Sequence, residues 1–156
     1  MLALEIPGFS NLVLSHLVLD FNGTLAADGR LIEGIPPRLQ ALSNLLSLHV
    51  VTGDTHGTAR EQLRGLPVAL TVLPADRQAE AKRALVRGLG ASQVVCIGNG
   101  RNDRLMLAEA ALGIAVTGPE GTAGEALAAA DLFVPGISDA LDLLQAPTRL
   151  VATLRG

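Results

Sequence analysis

Asp20 closes the apolar run Leu17-Val18-Leu19 and is followed at once by Phe21-Asn22-Gly23-Thr24-Leu25. A carboxylate at the end of a buried strand, with Gly-Thr turning the chain away, stands where a nucleophile stands in a sheet covered on both faces. Three more segments carry groups of the same kind. Val50-Val51-Thr52-Gly53-Asp54-Thr55 ends an apolar run in a hydroxyl, and the Gly53 N–H beside a helix start suits an anion. Lys82 is the only lysine, against eleven arginines, which points to a site wanting a compact ammonium rather than a planar fork. The run Val94-Val95-Cys96-Ile97 leads into Gly98-Asn99-Gly100-Arg101-Asn102-Asp103, an oxygen-rich turn of the kind that holds Mg²⁺ beside phosphate oxygens.

Each segment also has a plainer reading. Asn22-Gly23 is a hairpin-turn dipeptide, Asp54, Thr55, Asn102 and Asp103 are good helix caps, and a lone lysine can sit in solvent. Taken in chain order they are a nucleophilic carboxylate, a phosphate-binding hydroxyl, an ammonium and a metal-binding loop. Aspartyl-phosphate chemistry requires that set.

The elements that must position these groups alternate along the chain. Apolar runs predict strands at Leu17–Phe21, His49–Thr52, Val68–Leu73, Val94–Ile97, Gly113–Val116 and Asp131–Val134. Helical spacing predicts helices at Pro36–Leu48, Thr55–Gly65, Asp76–Gly88, Asn102–Leu112, Gly121–Ala129 and Ser138–Leu144, with Asp76 and Ser138 as N-caps. Such alternation means βαβ units and a parallel sheet. Leu2–Ser15 reads as a hairpin turning at Pro7-Gly8, and Leu25–Ile32 as a smaller one turning at Asp28-Gly29. The expected fold is a single α/β domain over 1–156, doubly wound, with residues 1–15 an appended N-terminal β-hairpin.

Composition narrows the function classes. The 156 residues are 49% apolar but only 2% aromatic, with no Trp or Tyr and three Phe, so little is available to stack on bases. A net charge of −3 and no basic run argue against duplex binding. The single Cys96 sits inside an apolar strand and reads as a small core residue. No signal peptide and no membrane-spanning run are legible, so a cytoplasmic protein without nucleic-acid or membrane partners is expected.

With these residues in hand, the chain resembles the haloacid dehalogenase (HAD) superfamily over nearly its whole length, and especially its capless, soluble P-type-ATPase-like phosphatases. Asp20 to Leu25 matches the first motif, Asp-x-Asp/Thr-Gly-Thr-Leu, and Thr52 the second. Lys82 matches the third, and Gly98 to Asp103 resembles the fourth, Gly-Asp-Gly-x-Asn-Asp, followed by Met106. The resemblance implies a three-layer α/β/α Rossmann-like core and Mg²⁺ dependence. It implies catalytic roles for Asp20, Asn22, Thr52 and Lys82, with Asp20 attacking phosphorus. Phosphate would be held by Thr52, Gly53, Lys82 and Asn102, and the metal by Asp20, the Asn22 carbonyl, Asn99 and Asp103.

Two residues depart from the family pattern. Phosphatases of the family carry an acid/base Asp where this chain has Asn22, and a metal-binding carboxylate where it has Asn99. The expectation is therefore a slow phosphohydrolase or phosphotransferase; the alternative is a non-catalytic phosphate- or protein-binding regulator. The gaps after the first and second motifs have no room for a cap domain. An open site implies a large phosphorylated substrate, or closure by a second subunit in a homo-oligomer, with Asp54, His56 and the Leu25–Ile32 hairpin best placed to touch the substrate.

Overall fold

The computed structural model describes residues 1–156. In chain order, β1 (Leu2–Ile6) and β2 (Ser10–Leu14) form an antiparallel hairpin, followed by β3 (His16–Asp20). The short hairpin β4 (Ala26–Ala27) and β5 (Arg30–Leu31) comes next, then α1 (Ile35–Leu42), β6 (Ser47–Thr52), α2 (Ala59–Gln62) and β7 (Val68–Val72). The second half runs α3 (Gln78–Leu89), β8 (Val94–Gly98), α4 (Arg104–Glu109), β9 (Leu112–Val116), α5 (Gly124–Ala129), β10 (Leu132–Val134), α6 (Ile137–Gln145) and α7 (Pro147–Leu154).

Six strands form one sheet in the order β10-β9-β8-β3-β6-β7, every pair parallel. The chain leaves β3 to one side through β6 and β7, then returns to build the other side from β8. The carboxyl ends of β3, β6 and β8 therefore flank the point where strand order reverses, the place such sheets bind ligands. β3 and β8 show why: Leu17, Leu19, Val95 and Ile97 point to one face while Val18, Val94 and Cys96 point to the other, and all are fully buried. A strand buried on both faces must be apolar throughout.

The two faces are unequal. One carries a continuous core of 29 buried residues from the sheet, α1, α6, α7 and the inward side of the N-terminal hairpin. The other is an eight-residue cluster in which Val86 of α3, Met106 and Leu107 of α4 and Ala126 of α5 cover Val18, Val51, Val94 and Cys96. The N-terminal hairpin belongs to the larger core: Leu2, Leu4, Ile6, Leu12 and Leu14 are buried there, and β1 packs against α7. No helix is long and apolar enough to cross a membrane. Only β4–β5 separates β3 from α1, and only α2 and β7 separate β6 from α3; no cap domain is inserted in either gap.

Several element boundaries differ from the sequence expectation. The first helix stops at Leu42 rather than Leu48, because the Ser43 hydroxyl and the Asn44 amide bond back to the Gln40 and Ala41 carbonyls and end it. Thr55–Gly65 is helical only over Ala59–Gln62, and Asn102–Leu112 only over Arg104–Glu109 behind a 3₁₀ turn at Arg101–Asp103. Neither Asp76 nor Ser138 is an N-cap: those positions fall to Arg77, at φ 53°, and to Gly136, without side-chain hydrogen bonds. Helix α7 was not anticipated, although Pro147 in its first turn and Leu150, Val151 and Leu154 at helical spacing carry the signal.

Close packing of α4 against β9 depends on Gly113, where a Cβ would stand 2.4 Å from the Leu107 carbonyl oxygen. Because the obstructing atom is backbone, it yields only if α4 moves. Gly113→Ala is expected to destabilise the fold by about 1–3 kcal/mol, measured by urea denaturation against wild type.

Candidate active site

The end of β3 brings Asp20 to the switch point, and the end of β6 brings Thr52 beside it; they are 5% and 1% exposed. Lys82 comes from α3, on the inward stripe Ala79-Lys82-Val86, where helical periodicity ordinarily places apolar residues. Its ammonium is wholly buried and donates to Asp20 Oδ1 and Asp103 Oδ1, each at 2.7 Å. Asp103 is equally buried, and its second oxygen accepts the main-chain N–H groups of Asn99 (3.0 Å) and Gly100 (2.8 Å). The carboxylate fits there because Gly98 has no side chain; a Cβ at Gly98 would stand 2.6 Å from Asp103 Cγ.

One ammonium thus faces two carboxylates in a place water barely reaches. Burial raises the Asp20 carboxyl, the Asp103 charge raises it further, and Lys82 only partly opposes them, leaving it at about 7. Burial alone would depress the Lys82 ammonium, but Asp20 and Asp103 together hold it above its ordinary range. The Cys96 thiol, behind the site on β8, is pushed up by burial and by Asp103 and is inert core.

The remaining polar groups are arranged around this triad. Thr24 Oγ1 lies 3.1 Å from Asn99 Oδ1 and 3.4 Å from Asp20 Oδ2, so its single proton serves chiefly the amide. The Thr52 hydroxyl accepts the Asp54 N–H at 2.9 Å, which leaves its own proton free. Asn22 Nδ2 reaches Thr52 Oγ1 only at 3.5 Å, and Asn22 Oδ1 is buried without a partner. Asn102 is held by Gln78 Oε1 at 2.9 Å. Asp20, Asn22, Thr52, Gln78, Asn99 and Asn102 line a cavity of about 200 Å³ with no hydrophobic side chain in its wall.

All the sequence-derived site residues, Asp20, Asn22, Thr52, Gly53, Lys82, Asn99, Asn102 and Asp103, come together at this one end of the sheet. Four further residues line the cavity: Thr55, Gly100, Gln78 and Glu120. Gln78 lies one helical turn before Lys82, so an i, i+4 reading of α3 finds it. Glu120 sits in the loop after β9 and has no local signal in the sequence. The β4–β5 hairpin is tied to the α2 region instead of standing free: Thr58 Oγ1 donates to the Gly29 carbonyl, and Leu31 N–H to Gln62 Oε1. His56 is exposed beside it, and Asp54, at φ 50°, accepts the Ala59 N–H. His16 and His49 pair with each other at 3.2 Å, away from these groups.

The fold is shared with solved structures. A 3-deoxy-D-manno-octulosonate 8-phosphate phosphatase from Moraxella catarrhalis, solved with magnesium, phosphate and KDO, superposes with a TM-score of 0.71 at 20% identity, covering 91% of this chain and 94% of that one. The cobalt-bound enzyme of that type from Haemophilus influenzae gives 0.70 at 16% identity over 92% and 94%. A haloacid dehalogenase-like family hydrolase from Streptococcus pneumoniae gives 0.63 at 14% over 85% and 99%. The chain has the fold of these haloacid dehalogenase-like phosphatases. In sequence it matches two uncharacterized proteins of Methanocaldococcus jannaschii. One is 48% identical over 63 residues (40% of this chain, 68% of the relative) and the other 38% over 39 residues (25% and 89%). The chain belongs to one family with these archaeal proteins. No protein-family model matches the chain.

The raised Asp20 carboxyl has a stability consequence. Between pH 4 and 7 the folded protein binds a proton at Asp20 that the unfolded chain has released, so this residue's contribution falls as pH rises through that window. Asp20→Asn removes the effect. Without added cation, its stability relative to wild type is expected to climb from pH 4 to 7 and to lead by on the order of a few kcal/mol at pH 8. Paired urea titrations at pH 4 and pH 8 read the difference; a constant gap between the proteins would refute it.

Proposed function

We propose that the chain is a Mg²⁺-dependent phosphohydrolase or phosphotransferase that works through an aspartyl-phosphate on Asp20. The observation that carries this reading is the buried Asp20–Lys82–Asp103 triad, whose Asp20 lines a cavity walled only by polar residues and glycine. A volume of about 200 Å³ accommodates a phosphoryl group and leaves the rest of the substrate outside. The magnesium, cobalt and phosphate in the structural neighbours' crystals lend support.

The donor set suits a hard cation. It consists of oxygens alone: an Asp20 carboxylate oxygen, the Asn22 main-chain carbonyl and Asn99 Oδ1. Both Asp103 oxygens are already engaged, so we place Asp103 behind the metal ligands, aligning Lys82 and the Asn99–Gly100 backbone. After Lys82 is counted, Asp20 and Asp103 leave one uncompensated buried negative charge that a cation neutralises. Bound there, Mg²⁺ supplies positive charge beside the transferring phosphoryl group.

In the first half-reaction an Asp20 oxygen forms a bond to phosphorus, and the bond to the leaving oxygen breaks with its electron pair. Lys82 has three N–H donors and uses two on Asp20 and Asp103, so the third is available to a phosphoryl oxygen. The free Thr52 proton, the Gly53 N–H and the Asn102 amide add donors around the same group. Asn22 has no acidic proton for the leaving oxygen, which must take one from water. In the second half-reaction water attacks phosphorus, the Asp20–phosphate bond breaks, and a proton passes to solvent because Asn22 cannot accept it. General acid–base catalysis is worth roughly 10²–10⁴-fold, so turnover without it is slow.

A second reading is favoured by the same two asparagines: a regulator that binds phosphate without turning it over. The unpartnered Asn22 Oδ1 is compatible with both readings. Phosphate release from acetyl phosphate with Mg²⁺ separates them. Wild type is expected to release phosphate and Asp20→Ala to release none, while Asn22→Asp raises kcat about 10²-fold or more. Phosphate binding with no release by wild type or Asn22→Asp would establish the regulator instead.

A further inference from the structure

Asn99 does something that the carboxylate it replaces could not. Its Nδ2 donates to the Gly121 carbonyl at 3.0 Å, while its own main-chain carbonyl accepts the Ala123 N–H at 2.8 Å. One residue at the end of β8 thereby clamps the loop that follows β9. Thr122 Oγ1, bonded to the Val116 carbonyl at 2.8 Å, and Gly121 N–H, bonded to the Gly118 carbonyl at 2.9 Å, close the loop on itself. An aspartate at position 99 would have no proton for Gly121 and would set its charge against that carbonyl.

The clamped loop carries Glu120 to the wall of the same cavity. Glu120 makes no ion pair and no side-chain hydrogen bond within the chain. Its carboxylate converges with the Asn99 amide above Gly23, the residue after Asn22. Measured from where a Gly23 Cβ would stand, Glu120 Oε2 is at 2.5 Å and Asn99 Oδ1 at 2.9 Å. Gly23, at φ 79°, is the one residue type that leaves room for both.

We propose that Glu120 is a ligand of the divalent cation and supplies the carboxylate missing at position 99, with the Asn99 amide fixing the loop that presents it. The proposal rests on the cation reading given above. The charge count agrees with it: Asp20, Asp103 and Glu120 against Lys82 leave two negative charges, the number a divalent cation cancels. A site that looks one carboxylate short along the sequence has that carboxylate delivered from a different loop.

Mn²⁺ binding, followed by the electron paramagnetic resonance signal of the free ion, tests this without reference to turnover. Wild type, Glu120→Gln, Glu120→Asp and Asp20→Asn are titrated in low salt and in 0.5 M NaCl (roughly 4 Å screening length). Glu120→Gln is expected to bind Mn²⁺ at least about tenfold more weakly in both salts, with Glu120→Asp intermediate and the cation-free melting temperature unchanged. If Glu120→Gln matches wild type while Asp20→Asn loses the ion, or if its deficit vanishes in high salt, Glu120 is not a ligand and the cation reading at Asp20 survives. If Asp20→Asn also binds as wild type does, the cation reading itself is overturned, and this inference with it.

Discussion

Lys82 is the single positive charge at the centre of the molecule, and three separate parts of the chain depend on where it sits. Its ammonium joins Asp20, at the end of the first core strand, to Asp103, in the turn after β8, each at 2.7 Å. Asp103 in turn orders the Asn99–Gly100 backbone, and Asn99 orders the loop after β9. Removing one partner from a buried ion pair is costly, about 3–5 kcal/mol, because the other charge is left uncompensated. Here two carboxylates would be left. The chain accepts an arrangement in which one ammonium faces two buried carboxylates, leaving one excess negative charge.

How far this was legible in the sequence depended on whether a feature was local. The strands read cleanly because burial on both faces leaves uninterrupted apolar runs such as Val94–Ile97. Asp20, Thr52, Lys82 and Asp103 read cleanly because each stands at a strand end or breaks a pattern; a lysine on the apolar stripe of α3 is a conspicuous break. Helix ends read poorly, since Ser43 and Asn44 could as well continue α1 as terminate it until their side chains are seen bonding back to Gln40 and Ala41. Glu120 was illegible for a different reason. Its position depends on a hydrogen bond between residues 22 apart, Asn99 and Gly121, and no pattern along the chain records that.

The same contrast bears on Asn22 and Asn99, which look alike as losses of a carboxylate. In the structure they are different. Asn99 has every polar atom of its side chain engaged, with Thr24 on one side and Gly121 on the other. Asn22 has an oxygen buried with no partner and an amide that barely reaches Thr52. An unsatisfied buried polar atom costs about 1–3 kcal/mol and persists where something else is served by it. Both asparagines line the cavity, but Asn99 is held by its neighbours, while Asn22 brings an oxygen that no protein group satisfies.

The inequality of the two sheet faces has a bearing on motion. Lys82 and Asp103 are held on the side where an eight-residue cluster covers the sheet, beneath the six-residue helices α4 and α5, while the 29-residue core lies behind the opposite face. Regions with fewer buried apolar contacts open at lower free energy than the rest of a domain, and amide exchange reports the difference. The thin layer is therefore expected to open at lower free energy than the rest, which amide exchange would read. The buried ion pair between Asp20 on the sheet and Lys82 on α3 is then a rivet between a rigid plate and a loose one.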